Sequence, residues 1–195
     1  MNNQKIMKKN FKVLKSDIIY RGIVFDLQVD EIEYESGNRT KREIALHDGG
    51  SVVVPILDDD KVVFVRQYRY PFDDFMLELP AGKLAKGEEP LECARRELKE
   101  EAGYLAQSII KLGEIRTTPG FCTEVLHIYL ALNLISGTTD REEGEYGMTI
   151  EIYSFDEINE KILNGELKDS KSISAIFMAK NYLDKLKKIS DLNNL

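Results

Sequence analysis

The stretch Gly82–Tyr104 constrains this chain more than any other. It reads GKLAKGEEPLECARRELKEEAGY, and its second half is a helix signal bounded on both sides. Pro90 suits a first helical turn, where its missing N–H is no loss, and Gly103 suits the left-handed stop. Within Pro90–Ala102, Glu97, Glu100 and Glu101 fall at i, i+3 and i+4, which puts three carboxylates on one helix face. Like charges at that spacing repel, and they lie near the helix C-terminus, where the macrodipole disfavours negative charge. Arg96 and Lys99 nearby would suit an ordinary solvated face. A divalent cation would relieve both penalties, and carboxylate oxygens suit Mg²⁺ or Mn²⁺.

Composition narrows the partners. The chain has 195 residues, enough for one domain with an added subdomain, and 43% hydrophobic residues, enough for a sizeable core. A formal charge of −7 argues against nucleic-acid binding and against an anionic membrane surface. An acidic protein that handles an anionic substrate needs local cations, most simply metal ions. Cys93 and Cys122 have no metal-ligand spacing and read as reduced thiols of a cytoplasmic protein. The first residues, MNNQKIMKKNFKVL, have no apolar run of the signal-peptide kind, and Ser51–Leu57 is too short for a membrane span.

Along the chain, Phe11–Leu46 is strand-like, with Ile23–Ile32 partly alternating, a turn at Glu35–Asn38 and a return strand Arg39–Leu46. This predicts an N-terminal antiparallel β unit over residues 1–47, too small to bury a core of its own. Gly49-Gly50 marks the boundary, and residues 48–195 form the second domain. There, Ser51–Leu57 and Lys61–Tyr68 read as a hairpin around Asp58–Asp60 in a central sheet, and Tyr70–Pro80 as an irregular loop. Further strands are expected at Ile109–Arg116, Glu124–Leu134 and Met148–Tyr153. Ser154 and Glu157 form a capping box for a helix ending at Gly165. A last helix, Ser172–Lys188, carries Ile173, Ile176, Phe177, Leu183 and Leu186 roughly on one face. The expected class is α/β, a mixed sheet between helices.

Gly82, Glu88, Arg96, Glu97, Glu100, Glu101 and Gly103 are spaced as G-x5-E-x7-R-E-x-x-E-E-x-G, with Leu98 and Tyr104 at its apolar positions. Seven positions, each filled at about 6% by chance, coincide in roughly 10⁻⁹ of windows. The stretch resembles the Nudix box at every fixed position; only Tyr104 stands where an aliphatic residue is commoner. The resemblance implies an α/β/α sandwich that hydrolyses a nucleoside diphosphate linked to another group, using two to three Mg²⁺ ions, with Mn²⁺ or Zn²⁺ as alternatives. Glu97, Glu100, Glu101 and the Ala81 carbonyl then become metal ligands, Glu101 also counting as catalytic. Arg96 and Glu88 brace the box.

Pro119, in Thr118-Pro119-Gly120 and fifteen residues past Tyr104, resembles the ADP-ribose pyrophosphatase subgroup. Tyr20-Arg21-Gly22, Arg66–Tyr70, Glu78–Gly82 and Gly165–Asp169 fall in the order and spacing of that subgroup. The likeness covers about residues 15–185. It implies that Arg69 contacts the substrate phosphates, that Arg42 and Glu43 reach the substrate from a partner subunit, and that Ile23 and Val24 touch the adenine. Glu124 would lie near the terminal ribose with Thr118 in the same pocket. A glutamate of the loop Thr138–Gly147 would orient the attacking water, with Glu145 favoured over Glu143 and Glu142. The implied reaction turns ADP-ribose into AMP and ribose 5-phosphate, in a homodimer that swaps its N-terminal unit. Another nucleotide sugar such as GDP-mannose, a dinucleotide, or a non-catalytic nucleotide-binding regulator are the alternatives.

Overall fold

In the computed structural model, which describes residues 8–141, 143 and 147–193, the chain divides into two compact units. One runs to Asp48 and includes Thr118–Glu124; the other comprises Gly49–Thr117 and Val125–Leu195.

The first unit is a three-stranded antiparallel sheet in the order β1 (Phe11–Arg21), β2 (Asp26–Tyr34), β3 (Arg39–Leu46). The segment Thr118–Glu124 belongs to it through a bridge between Ala45 and Cys122, and the Ala45 N–H donates to the Phe121 carbonyl at 2.8 Å. Ile32 is its single fully buried hydrophobic side chain among the described residues.

The second unit holds β4 (Gly50–Pro55), β5 (Val62–Arg69), β6 (Asp74–Glu78), β7 (Ala81–Lys83), α1 (Pro90–Ala102), β8 (Tyr104–Arg116), β9 (Val125–Ser136), β10 (Thr149–Tyr153), α2 (Phe155–Leu163) and α3 (Ser170–Asn193). Its strands form two sheets, β7-β4-β9-β8 and β10-β5-β6. The β4–β9 pair is parallel and the others antiparallel, so the four-stranded sheet is mixed. Along β4, Val52 and Val54 point into a core shared with Ile158 of α2 and Ile176 of α3, whereas Val53 points into a core shared with Ala94 and Leu98 of α1. Helices on both sides of the strands make the expected α/β/α sandwich.

Two expectations need correction. The turn at Asp58–Asp60 exists, but β4 and β5 do not form a hairpin; they share only the bridge Ile56–Val62 and enter different sheets. Both strands are buried on both faces, so each needs cover from two directions and takes its neighbours from distant segments. Tyr70–Pro80 is not all irregular. It contains a one-turn 3-10 helix, Tyr70–Phe72, and the strand β6, which pairs with β5 and sets Glu78 opposite Val65. The two prolines lie outside β6, where no ladder donor is needed.

The helices follow their capping residues. Gly103 takes φ 72° at the end of α1, and the Ser154–Glu157 capping box is fully formed. In α3, however, Phe177 and Leu186 are exposed, so the inner stripe is narrower than the periodicity predicts. Among the described residues no helix is long and apolar enough to cross a membrane.

Candidate active site

The inner face of α1 is set by Ala94, Leu98 and Ala102, which pack on Val53, Val63 and Val65. Glu97 and Glu101 flank that face and are drawn in with it, at 5% and 3% exposure, while Glu100 stays half-buried. Strand β7 runs beside them. The Ala81 N–H donates to Glu101 Oε2 at 3.0 Å. At Gly82 the Glu97 carboxylate lies so close that an added Cβ would meet its Oε1 at 1.8 Å.

Arg96 supplies the counter-charge. Its Nε and Nη2 grip Glu88 at 2.9 and 3.0 Å, its Nη1 donates to Glu97 Oε1 at 2.5 Å and Glu100 Oε2 at 3.0 Å, and Nη2 also reaches the Lys83 carbonyl at 3.1 Å. The hydrogen bond from Arg96 holds the Glu88 carboxyl down at about 2, against an ordinary value of 4.5. A carboxyl lowered on folding stabilises the fold above its unfolded pKa and loses that contribution as pH falls through the folded one. The stability difference between wild type and Glu88→Gln is therefore expected to hold steady at neutral pH and to shrink between 4.5 and about 2. Urea melts across that range measure it; a difference independent of pH would remove the pairing from the stability of the box.

Across the cleft, β5 and β6 present a second charged group. Arg69 grips Glu78 with Nε at 2.7 Å to Oε1 and Nη2 at 2.6 Å to Oε2. Glu78 is 1% exposed and also accepts from Lys171 Nζ and, at 3.5 Å, from Gln67 Nε2. Gln67, Arg69, Ala81, Gly82, Arg96, Glu97, Glu100 and Glu101 line one cleft of about 600 Å³. The structure thus brings Arg69 together with all four candidate metal donors.

The C-terminus of α1 is tied to the acidic loop. The Asp140 N–H donates to the Glu100 carbonyl at 3.1 Å, and Arg141 Nη2 to the Glu101 carbonyl at 3.0 Å, so orphan helix carbonyls are satisfied. Arg141 Nη1 also donates to the Met148 carbonyl, at the far side of the loop. Glu143 is exposed; Glu142 and Glu145 lie outside the described residues.

The remaining candidates belong to the first unit. Ile23 and Val24, between β1 and β2, are exposed. Arg42 on β3 donates to the Tyr34 hydroxyl and the Lys41 carbonyl, and its neighbour Glu43 is exposed. The Thr118 carbonyl accepts from the Phe121 and Cys122 N–H groups at 3.1 and 3.0 Å, closing the turn around Pro119. Glu124 Oε1 lies 3.6 Å from His47 Nδ1.

The sequence reading missed Glu78, Gln67, Lys171 and Arg141. Glu78 carried no signal of its own while Tyr70–Pro80 read as an irregular loop. Arg141 had one, as the lone cation in Thr138–Gly147.

The donor set fits a hard divalent cation. Three carboxylates from one helix face and the backbone at Ala81–Gly82 are all oxygen donors at the mouth of one cleft. They do not form a ready-made cage: among the described residues no three acidic, His or Cys groups converge as a metal site, and Arg96 donates to Glu97 and Glu100.

Comparison with known proteins places these features. The NUDIX domain model matches residues 47–175. A methanol dehydrogenase activator of Bacillus methanolicus is 39% identical over 167 residues, covering 85% of this chain and 90% of that protein. An ADP-ribose pyrophosphatase of Bacillus subtilis is 36% identical over the same length, with the same shares covered. The crystal structure of an ADP compounds hydrolase superposes with a TM-score of 0.82 over 91% of this chain and 96% of that one, at 20% identity.

Proposed function

Because this chain belongs to the Nudix family, we propose that it is an ADP-ribose diphosphatase, a hydrolase that cuts the P–O–P link of ADP-ribose to give AMP and ribose 5-phosphate. One observation carries the reading: Glu97, Glu100, Glu101 and the Ala81–Gly82 backbone share a cleft with Arg69. Such a cleft offers oxygen donors for a metal and a guanidinium for a phosphate. The likeness to the Bacillus subtilis ADP-ribose pyrophosphatase supports the choice of substrate.

Glu97, Glu100, Glu101 and the Ala81 carbonyl would hold Mg²⁺, with Mn²⁺ or Zn²⁺ as substitutes and two to three ions in all. A metal bound there would supply charge to neutralise the diphosphate and to acidify a water. Arg69 makes charge-assisted bonds to the diphosphate oxygens. Glu145, with Glu143 or Glu142 as the alternative, takes the proton of the attacking water. Arg141, at one end of that acidic loop, donates to the carbonyls of Glu101 and Met148. Ile23 and Val24 receive the adenine, Thr118 and Glu124 the terminal ribose, and Arg42 and Glu43 come from a second subunit.

The protein works as a homodimer in which the N-terminal unit, residues 1–47, is exchanged. Val13, Ile18, Ile19 and Tyr20 of β1 are exposed, and a three-stranded unit with one buried hydrophobic side chain among its described residues lacks a core. Free Cys93 and Cys122 fit a reducing cytoplasm. The test is a substrate panel with Mg²⁺: ADP-ribose, GDP-mannose and a dinucleotide, with products identified by chromatography. AMP and ribose 5-phosphate are expected from ADP-ribose. Faster cleavage of GDP-mannose or the dinucleotide would reassign the substrate, and binding without turnover of any would make the protein a regulator.

A further inference from the structure

We propose that Glu78 is a positioning residue of this site: it holds the Arg69 guanidinium and the Gln67 amide in the geometry that a diphosphate meets. The inference rests on the diphosphatase reading above.

Glu78 is a charge where a core residue would be cheaper. It is 1% exposed, at the end of a strand whose neighbouring Leu77 and Leu79 are fully buried. Burial pushes its carboxyl up, but the hydrogen bond from Arg69 and the charge of Lys171 outweigh burial and keep it below its ordinary value. It is therefore ionised at neutral pH. Buried ion pairs of this kind add little net stability over an apolar replacement, so stability alone does not account for the cluster.

What the cluster does achieve is fixed geometry. Both Glu78 oxygens are used by Arg69, in a two-pronged grip that fixes the plane of the guanidinium. An arginine half-open to water would otherwise sample many rotamers, and freezing them on binding would weaken the contact with substrate. Gln67 Nε2 is drawn to the same carboxylate, and both residues line the cleft. Lys171 makes the buried acid tolerable. It is held in turn by Asp169 at 2.9 Å, and Asp169 accepts the Ser172 N–H at 3.0 Å at the start of α3. The Ser172 hydroxyl accepts the Leu79 N–H at 2.8 Å, which locks the chain just after Glu78. A salt-bridged anchor thus runs from the first turn of α3 to the cleft wall.

Glu78→Gln alone takes the carboxylate from Arg69 and leaves Lys171 with only Asp169, so the informative protein is E78Q/K171M, which removes one acid and one base. Its thermal midpoint is expected within about 5 °C of wild type. Its KM for ADP-ribose is expected to rise about tenfold or more at a kcat within about threefold, because Arg69 binds ground state and transition state alike. Adding Arg69→Ala to this background is expected to cost less than about threefold in kcat/KM, against about tenfold or more in wild type. Glu78→Asp, which keeps the charge and shortens the reach, is expected to show the same KM rise, and it decides the matter if the double variant does not fold. Wild-type KM in a folded variant, or an undiminished effect of Arg69→Ala, would overturn the role of Glu78. A wild type that releases no AMP would instead remove the diphosphatase reading itself, so the two failures are told apart.

Discussion

Glu101→Gln is expected to lower kcat on ADP-ribose by about 10³-fold and to leave the thermal midpoint unchanged or raised. The side chain is 3% exposed and accepts the Ala81 N–H at 3.0 Å. A glutamine fits the same space and its amide oxygen can still accept that bond, so the packing survives. What disappears is a negative charge. Metal assistance supplies several kcal/mol of transition-state stabilisation, and each 1.4 kcal/mol is tenfold in rate. On the proposed metal set, losing this carboxylate donor therefore has a large effect on kcat.

The stability side runs the other way. Glu101 sits in the last turn of α1, beside Glu97 at i−4 and next to Glu100. Removing it relieves like-charge repulsion, about 0.2–0.5 kcal/mol, and an unfavourable interaction with the helix dipole, about 0.3–1 kcal/mol. Function here is held at the expense of stability, as at many active sites. Steady-state kinetics and calorimetry on the same preparation test both halves. A kcat within tenfold of wild type would remove Glu101 from the metal set, and a large drop in midpoint would make it a structural residue.

The parts of this fold that were legible in the sequence are those set by local chemistry. Pro90 and Gly103 bound α1 to the residue, and Ser154 with Glu157 starts α2. The N-terminal strands follow from alternation and from the turn at Glu35–Asn38. What was not legible depends on distant partners. Ser51–Leu57 and Lys61–Tyr68 are both rich in β-branched residues with no polar face, so nothing in them says which neighbour each takes. The turn between them is real, with the Leu57 N–H donating to the Lys61 carbonyl at 2.8 Å. Yet β4 pairs in parallel with β9, some seventy residues on, and β5 pairs with β6 and β10. A local hairpin signal loses there to burial on both faces.

The site shows the same division. The carboxylate face of α1 was readable because helical spacing is a local rule. The role of Arg96 as counter-charge to Glu97 and Glu100 was only half readable. Repulsion on the helix pointed to a cation, and in this structure a guanidinium supplies it. Glu78 and Lys171 were invisible as a pair, because 93 residues separate them and only the meeting of β6 with the start of α3 joins them. Arg69 was implied by the likeness to the subgroup. Its grip on Glu78 could not be inferred while Tyr70–Pro80 was read as a loop.

Gly82→Ala is expected to lower kcat/KM by about 10²-fold or more with a change of only a few degrees in thermal midpoint. The sequence marks Gly82 as the first fixed position of the box, and the geometry says why. A Cβ there would lie 1.8 Å from Glu97 Oε1, 2.1 Å from its Cδ and 2.6 Å from Oε2. The three nearest atoms all belong to the far end of the Glu97 side chain, so β7 can remain paired with β4 once that carboxylate moves. The carboxylate must leave, and with it goes its 2.5 Å bond from Arg96 Nη1. Misplacing one ligand or positioning group by an ångström costs about 10²-fold in rate. The cause can be isolated by a double-mutant cycle with Glu97→Ala. If Gly82→Ala acts only by evicting Glu97, then G82A/E97A has the activity of E97A alone, because the alanine at 97 leaves nothing to evict. Losses that multiply would mean that the glycine serves the backbone of β7 instead. Equal losses would make the first residue of the box a space reserved for the carboxylate fifteen residues later.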